Sequence, residues 1–562
     1  MKNKRIPSIA GRIAVSALLI FLAFYMLLPA INLRDRNFFQ FLILSILIIL
    51  VVNFLTFLKD FLSSLLDGGM TIAHRDPVTG QIIFEKRQRK DRPISLERPL
   101  KLGFGAIALL LVWMAAATVI GTPLFNAARY RDLITLTDGD FAADIAEIEM
   151  KNIPVVDRDS ASRLGDRKLG EMTELVSQFE IAGNYTQINY RGTPYRVTPL
   201  RYADPIKWFF NRKSGLPAYI TVDMVTQQTD LVWLEEGMKY SPSEYFFRNI
   251  DRYLRFRYPT KIFDDVSFEI DDSGVPYWVA PTITYRVGWW DGRDIDGAVL
   301  VNAVTGECTY YDKEDVPQWI DQLYASDLII TQLDDNGKYQ NGYWNSIFGQ
   351  RNVRRTTYGY NYLALNDDVY LYTGMSSVTA DQSNIGFVLV NLRTKETRFY
   401  TVPGATEQSA MASAEGQVQH LNYKATFPLL LNISNRPTYF ISLKDGAGLV
   451  KMYAFVDVEQ YQIVGTGQSV TEAEDNYRQA LNLEDVALET PAGTEPVSGE
   501  IEAIENVVVS GNTCYYFTLS GSGDVYCAPV TLDPRLPFLQ PGDSVSFLPA
   551  ESGSPIQVLE WR

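Results

Sequence analysis

Histidine is almost absent: His74 and His420 are the only two in 562 residues. A zinc centre or a Ser-His-Asp triad after residue 128 would have to be built around His420 alone. His420 reads instead as a helix-end residue, favoured there by the helix dipole. No HExxH, GxSxG or SxxK pattern occurs. Cysteine is scarce as well, with Cys308, Cys514 and Cys527 only, which excludes a disulfide-dense scaffold. Cations are outnumbered, 51 Lys and Arg against 66 Asp and Glu, for a formal charge of −15. A nucleic-acid binder needs a basic face that releases counterions, so this balance argues against one. With 46% apolar residues the chain is also no disordered polymer.

Charge is missing locally too. Three stretches, residues 13–33, 37–58 and 102–128, contain no charged side chain. Each exceeds the ~20 apolar residues that a helix needs to cross a bilayer. Residues 1–128 therefore read as a membrane domain of three spans with a basic loop at 66–101. Lys2, Lys4 and Arg5 ahead of the first run imitate a signal peptide, but no small-x-small site follows and a second run comes at once. The first run accordingly reads as an uncleaved anchor. Uncharged spans argue against a transport path. Cations crowd the N-terminal arm and the 66–101 loop, and only Arg34 and Arg36 lie between the first two runs. By the positive-inside rule the arm and loop are cytoplasmic and residues 129–562 are extracytoplasmic. Net charge follows the same division, +8 over residues 1–125 and −23 over the rest. Within the loop, DPVTGQIIFEKR reads as a turn followed by a short strand.

The region after residue 128 repeats itself. ITVDMVTQQTDLVW, VLVNAVTGECTYY, VLVNLRTKETRFY and AFVDVEQYQIVG share a core at Val222-Asp223, Val301-Asn302, Val390-Asn391 and Val456-Asp457. The first three place Thr226, Thr305 or Thr394 three residues after the Asp or Asn. Each alternates as a strand, a polar turn and a strand, the pattern of a half-buried antiparallel hairpin. A helical pattern and another hairpin precede each one. The helical patterns fall at 159–176, 241–256, 316–329 and 407–421, and Ser241 with Glu244 reads as a capping box with Pro242 at the first helical position. Asp271-Asp272-Ser273-Gly274 and Asn435-Arg436-Pro437 supply the turns of the earlier hairpins in the second and fourth copies.

This order of elements, with closing strands of the form V-[D/N]-x-x-T-G such as VNAVTGE (301–307), resembles the PepSY family of domains. The resemblance covers about 310 residues, is clearest in the second copy, and is faintest in the fourth, where Glu459-Gln460 replace the turn. It implies an α+β fold of tandem helix-plus-antiparallel-sheet repeats in a bacterial envelope protein. It also implies a role in binding or restraining peptidases, without catalysis and without assigned ligand residues.

The expected organisation is a connector at 129–154, repeats at 155–238, 239–315, 316–402 and 403–468, a helix at 469–483 and a linker at 484–497. Residues 498–562 hold five short strands between Gly, Pro and Asp turns and suggest a small C-terminal β-barrel resembling the OB fold. With Arg535 and Arg562 as its sole cations the barrel lacks the positive groove of a single-strand binder. It reads as a capping or protein-contact module.

Few side chains stand out as a site. Asp291, Asp294 and Asp296 in WWDGRDIDG are weak calcium candidates, lacking the register of a calcium loop and a distal Glu. Turn acids are normally solvated, so no metal site is assigned. Cys514 and Cys527 flank a turn centred between Ser520 and Gly521, which would set them opposite each other as a disulfide candidate. Trp289 and Trp290 are candidate partner contacts, or a cover for the edge of their own sheet. Trp208, Phe209 and Phe210 read either as packing between repeats or as contacts with the bilayer surface. Paired carboxylates are another route to catalysis, but nothing in the spacing singles out one pair. No cofactor is implied. The expected role is a non-enzymatic scaffold, anchored in the membrane, that binds an envelope protein or peptide. Strand addition to sheets with exposed edges and solvated faces would be the means. A carboxylate-dependent cell-wall enzyme and a sensor or accessory subunit of a membrane complex are the alternatives. Oligomeric state is not encoded in any of these features.

Overall fold

The computed structural model describes residues 9–67, 71–75, 82–86, 97–145, 153–365, 367–377, 383–488, 496–509, 512–530, 532–533, 535–549 and 555–561. Its N-terminal apolar runs form α1 (Ile9–Leu27), α2 (Arg36–Asp67) and α3 (Glu97–Gly121). All three are long and apolar enough to cross a membrane. α2 packs against both of the others. Two of the helices stop short of the charge-free runs. α1 ends six residues before Leu33, where Leu28 adopts φ +47° ahead of Pro29. α3 ends at Gly121 because Thr122 is extended before Pro123, which opens α4 (Pro123–Arg131). In the basic loop, Thr71–Arg75 pairs with Ile82–Lys86 as an antiparallel hairpin.

Beyond α4 the chain builds four antiparallel sheets of one pattern. The first strands are Thr186–Tyr190, Ser267–Ile270, Asn361–Leu365 and Leu429–Ile433. The second strands are Thr193–Tyr202, Pro276–Val287, Asp368–Ser377 and Arg436–Lys444. The third are Leu216–Asp223, Asp291–Asn302, Ser383–Asn391 and Val450–Asp457, and the fourth are Thr229–Met238, Cys308–Asp312, Thr397–Tyr400 and Val464–Gly467. Each strand pairs with the next, so every unit is a four-stranded meander. A helix precedes each: α5 (Arg158–Gly170), α6 (Ile250–Arg257), α7 (Ser326–Lys338) and α8 (Glu407–Gln417).

The recurrent Asp or Asn closes the last turn of every unit by local hydrogen bonding. The side-chain oxygen of Asp223 accepts from Val225 N and Thr226 N, and Asn302 accepts from Val304 N and Thr305 N. Asn391 does the same for Arg393 and Thr394, and Asp457 for Glu459 and Gln460. The fourth copy therefore keeps the turn chemistry without the consensus. In the first three copies the Thr hydroxyl then accepts the N–H two residues on. This explains the shared Thr as a turn residue.

Tertiary packing moved two of the helices. Glu244 does not cap a helix at Ser241; its carboxylate is buried and accepts from Trp208 Nε1 at 2.7 Å and Tyr202 OH at 2.8 Å. α6 begins nine residues later, capped by Asn249. The 316–329 pattern becomes helical only at Ser326, because Leu323 N and Tyr324 N donate to Leu392 O and hold the chain extended. In the fourth copy Ser434 and Asn435, both at positive φ, form the turn, and Arg436 already lies in the strand.

The sheets share cores rather than standing in a row. Trp278, Ala280, Val299 and Val301 of the second sheet pack with the first and fourth sheets, and Val279, Ala298 and Leu300 on its other face pack with the third. Tyr372, Phe387 and Leu389 of the third sheet meet Tyr439, Ile441 and Val456 of the fourth. The fourth returns Leu431, Phe440 and Phe455 to the core of the first. The second, third and fourth sheets thus bury both faces, correcting the expectation of solvated faces. Of the 129–154 connector, residues 129–145 are not free: Thr137–Asp138 pairs in parallel with Arg398–Phe399, and Ile134, Phe141 and Ile145 enter the cores.

Val470–Leu488 forms α9, ending five residues later than expected, and it lies on the last strand of the fourth sheet. Gly465 makes this approach possible, since a Cβ there would strike the backbone of Tyr477. The C-terminal strands are Val497–Val509, Asn512–Leu519, Val525–Pro529, Ser544–Pro549 and Ile556–Trp561. Their pairings run around a ring, with the first strand joined to both the second and the fourth and the last joined to the third and fourth.

Candidate functional site

A groove of about 850 Å³ lies between α7, residues 355–360 and the start of α8. Its walls are fixed by short-range polar contacts. Asp334 on α7 accepts from both Thr356 N (2.8 Å) and Thr356 Oγ1 (3.0 Å), pinning the strand Arg354–Thr356 to the helix. Thr357 N donates to Gly374 O, and Gly359, at φ +106°, gives its carbonyl to Thr373 Oγ1 at 2.9 Å. Gln408 Nε2 donates to Tyr358 O at 2.7 Å. The segment between these ties presents two rings, Tyr358 at 89% exposure and Tyr360 at 42%.

Beneath the floor lies a sealed polar network. Glu407, directly after the α8 cap Thr406, is fully buried and accepts from Tyr372 OH at 3.1 Å, with Thr357 and Asn384 also bonded to it. Burial pushes the Glu407 carboxyl above the usual range, and these donors offset part of the rise. The groove itself offers hydroxyls, the amide of Gln408, Arg355 and one acid, Asp327. That acid is ion-paired to Arg293 at 2.6 Å. Tyrosine faces and hydroxyls suit stacking and hydrogen bonding to a chain-like ligand.

One close carboxylate pair does exist, in another place. Glu269 of the second sheet accepts from Asp321 N at 2.9 Å, Gln322 N at 3.3 Å and Ser267 Oγ at 3.1 Å. Asp321 Oδ2 accepts from Asn189 N of the first sheet at 2.6 Å. Desolvation raises the pKa of both, and Asp321 is raised further by the charge of Glu269. Both side chains are at most 1% exposed, so a substrate has no path to them in this conformation. Alternation puts Glu269 on the sheet face opposite Phe268 and Ile270, where an acid reads as solvated, so the sequence did not mark it. Nothing marked Asp321, which lies 52 residues away.

The other singled-out residues have structural partners. Asp294 pairs with Lys395 at 2.7 Å and Arg286 at 3.4 Å, and Asp296 accepts from Thr282 Oγ1 and approaches Lys261. Asp291 lies near Gly121 at the end of α3, apart from them. The three acids thus do not converge, and among the described residues no cluster of His, Cys, Asp and Glu could hold a metal ion. Cys514 pairs with Pro529 and Cys527 with Tyr516, two residues out of the expected register, because the turn is centred between Gly521 and Ser522. The two cysteines are diagonal neighbours with free thiols. Cys308 is also a free thiol. His420 is exposed in the turn after α8.

Trp289 and Trp290 contact this chain's own helices. Trp290 packs on Phe39 of α2 at 5.5 Å and Trp289 on Trp113 of α3 at 5.2 Å, with its Nε1 donating to Leu33 O. Arg255 Nε donates to Leu28 O, Ile31 N to Pro259 O and Arg34 Nη1 to Tyr285 O. The second unit therefore sits on the α1–α2 turn and the end of α3. No protein-family model matches the chain, and no curated protein matches it.

Proposed function

We propose that this is a membrane-anchored binding module of the cell envelope that holds or restrains an extended segment of another envelope protein, a peptidase or cell-wall hydrolase being the partner class. The cationic arm and 66–101 loop keep the N-terminus in the cytoplasm, and residues 129–562 stand outside. The four helix-plus-meander units are PepSY-like domains, and the ring of C-terminal strands is an OB-like barrel that caps the array. The single observation that carries the reading is the Tyr358–Tyr360 groove of about 850 Å³, lined by tyrosine rings, hydroxyls and an amide that suit binding. Binding in a groove takes over from strand addition, since α7 covers the nearest sheet edge.

A photo-crosslinking residue at position 358 in native membranes tests this. A discrete adduct that disappears with Tyr360→Ala supports it. Hydrolysis of peptides or muropeptides by the purified chain, abolished by one carboxylate substitution, would overturn it in favour of the enzyme reading.

One contact favours a sensor as the second reading. Arg293, which holds Asp327 at the groove lip, lies on the strand Asp291–Asn302, three residues after Trp290 of the turn that meets α2 and α3. Ligand in the groove would act on the helices through that strand.

A further inference from the structure

Two exposed aromatic patches adjoin the ends of the outer helices. The first is carried by the short helix Pro205–Asn211 and the turn Phe246–Arg248. Trp208 points inward, but Ile206, Phe209, Phe210, Phe246 and Phe247 are all more than half exposed, Phe210 at 74%. Phe246 is held at φ +55°, a backbone region that bulky residues rarely adopt. This patch continues directly from α1: Tyr25, in its last turn, packs on Phe247 at 5.7 Å and on Phe256 at 6.3 Å. Cations border it, with Arg212 over the Phe209 ring at 4.0 Å and Lys213 exposed beside it.

The second patch comprises Trp344, Ile347 and Phe348, with Phe348 at 78% exposure. The segment bearing it packs on α4, the helix that follows α3, where Leu124 and Phe125 are also exposed. Arg129 and Arg351 are its exposed cations. The patches thus flank α2 from the sides of α1 and α3. A part of the chain with a net charge of −23 therefore keeps aromatic rings rimmed by Lys and Arg where the apolar helices end. Aromatic rings and cations are the residues that settle at a headgroup layer.

We infer that the two patches are feet that rest in the headgroup layer of the membrane from which the helices emerge, and that phospholipid headgroups are their ligand. The inference rests on the reading of α1, α2 and α3 as spans. The feet fix the tilt of the four-sheet body relative to the bilayer, and with it the direction in which the Tyr358 groove opens.

Fluorescent labels on single cysteines test this, introduced as Phe210→Cys, Phe348→Cys or Val51→Cys after replacement of Cys308, Cys514 and Cys527. The full chain is reconstituted in phosphatidylcholine vesicles containing phosphatidylglycerol. Labels at 210 and 348 are expected to shift to the blue, lose quenching by aqueous iodide, and be quenched by lipids carrying doxyl near the headgroup. The label at 51, within α2, is expected to respond to doxyl deep in the acyl chains. Full iodide quenching at 210 and 348 with deep quenching at 51 would refute the feet and leave the spans intact. Absence of lipid quenching at 51 would remove the spans themselves. Energy transfer between copies labelled at 210 or 348, without lipid quenching, would assign the patches to a dimer instead and overturn the proposal.

Discussion

Replacing Asp321 with Asn should stabilise the protein at neutral pH and leave it unchanged in acid. Asp321 is 1% exposed; one oxygen accepts Asn189 N, and Oδ1 has no partner. Burial, then the neighbouring Glu269 charge, raises its pKa in the folded state above the ordinary 3.8, and burial raises Glu269 above 4.5. Below these ordinary values both acids are protonated in folded and unfolded chains, and the pair makes no difference to stability. As pH rises, the unfolded chain releases its protons first, so stability falls until the folded pair also ionises. Asparagine keeps the acceptor for Asn189 N and sets an amide where the unpartnered oxygen stood, without charge. Each unit by which folding raises a pKa costs about 1.4 kcal/mol of stability once the pH exceeds the folded value. The expected gain for Asp321→Asn is therefore about 1–3 kcal/mol at pH 8, or roughly 2–6 °C in Tm for a body of this size, and near zero at pH 4. Thermal unfolding of the full chain in detergent, followed by tryptophan fluorescence at both pH values, gives the comparison. A variant that melts below the parent at pH 8, or a gap equally large at pH 4, would refute the reasoning.

Other substitutions separate local from long-range effects. Gly288 sits at φ +55°, and a Cβ there would lie 2.6 Å from Gly121 Cα, so Gly288→Val should lift the second unit off α3 and speed tryptic cleavage after Arg34; an unchanged digestion pattern would show that this contact does not hold the two together. Asn302→Ala removes an acceptor from two turn N–H groups and should cost about 1–2 kcal/mol in chemical denaturation, whereas Asn302→Asp should cost little. Tyr358→Ala, at an 89% exposed ring, should change stability by less than about 0.5 kcal/mol while abolishing the adduct formed by a photo-crosslinking residue placed instead at position 360.

The apolar helices and the turns of the repeats were legible because their causes are short-range. A run without charge declares its own solvent preference, and an Asp or Asn that bonds the second and third N–H after it needs no help from the rest of the chain. The five C-terminal strands were legible for the same reason, from alternation and turn residues. The groove was hidden. Its walls come from residues 327–331, 355–360 and 406–408, and only the YGYNY run at 358–362 hinted at a surface rich in rings.

What the sequence alone determined is the set of elements: three apolar helices, four meanders closed by one turn chemistry, and a terminal group of short strands. What tertiary structure decided is which face meets which. Glu244 matches a capping box, yet Trp208 and Tyr202 of the preceding unit claim its carboxylate, so the helix starts elsewhere. Glu269 and Asp321 become a pair because the first and second sheets close over both. Trp289 and Trp290 grip the chain's own α3 and α2. An apolar or polar side chain carries no label for its distant partner; that choice is made by shape and by the need to bury each face and satisfy each buried donor at once.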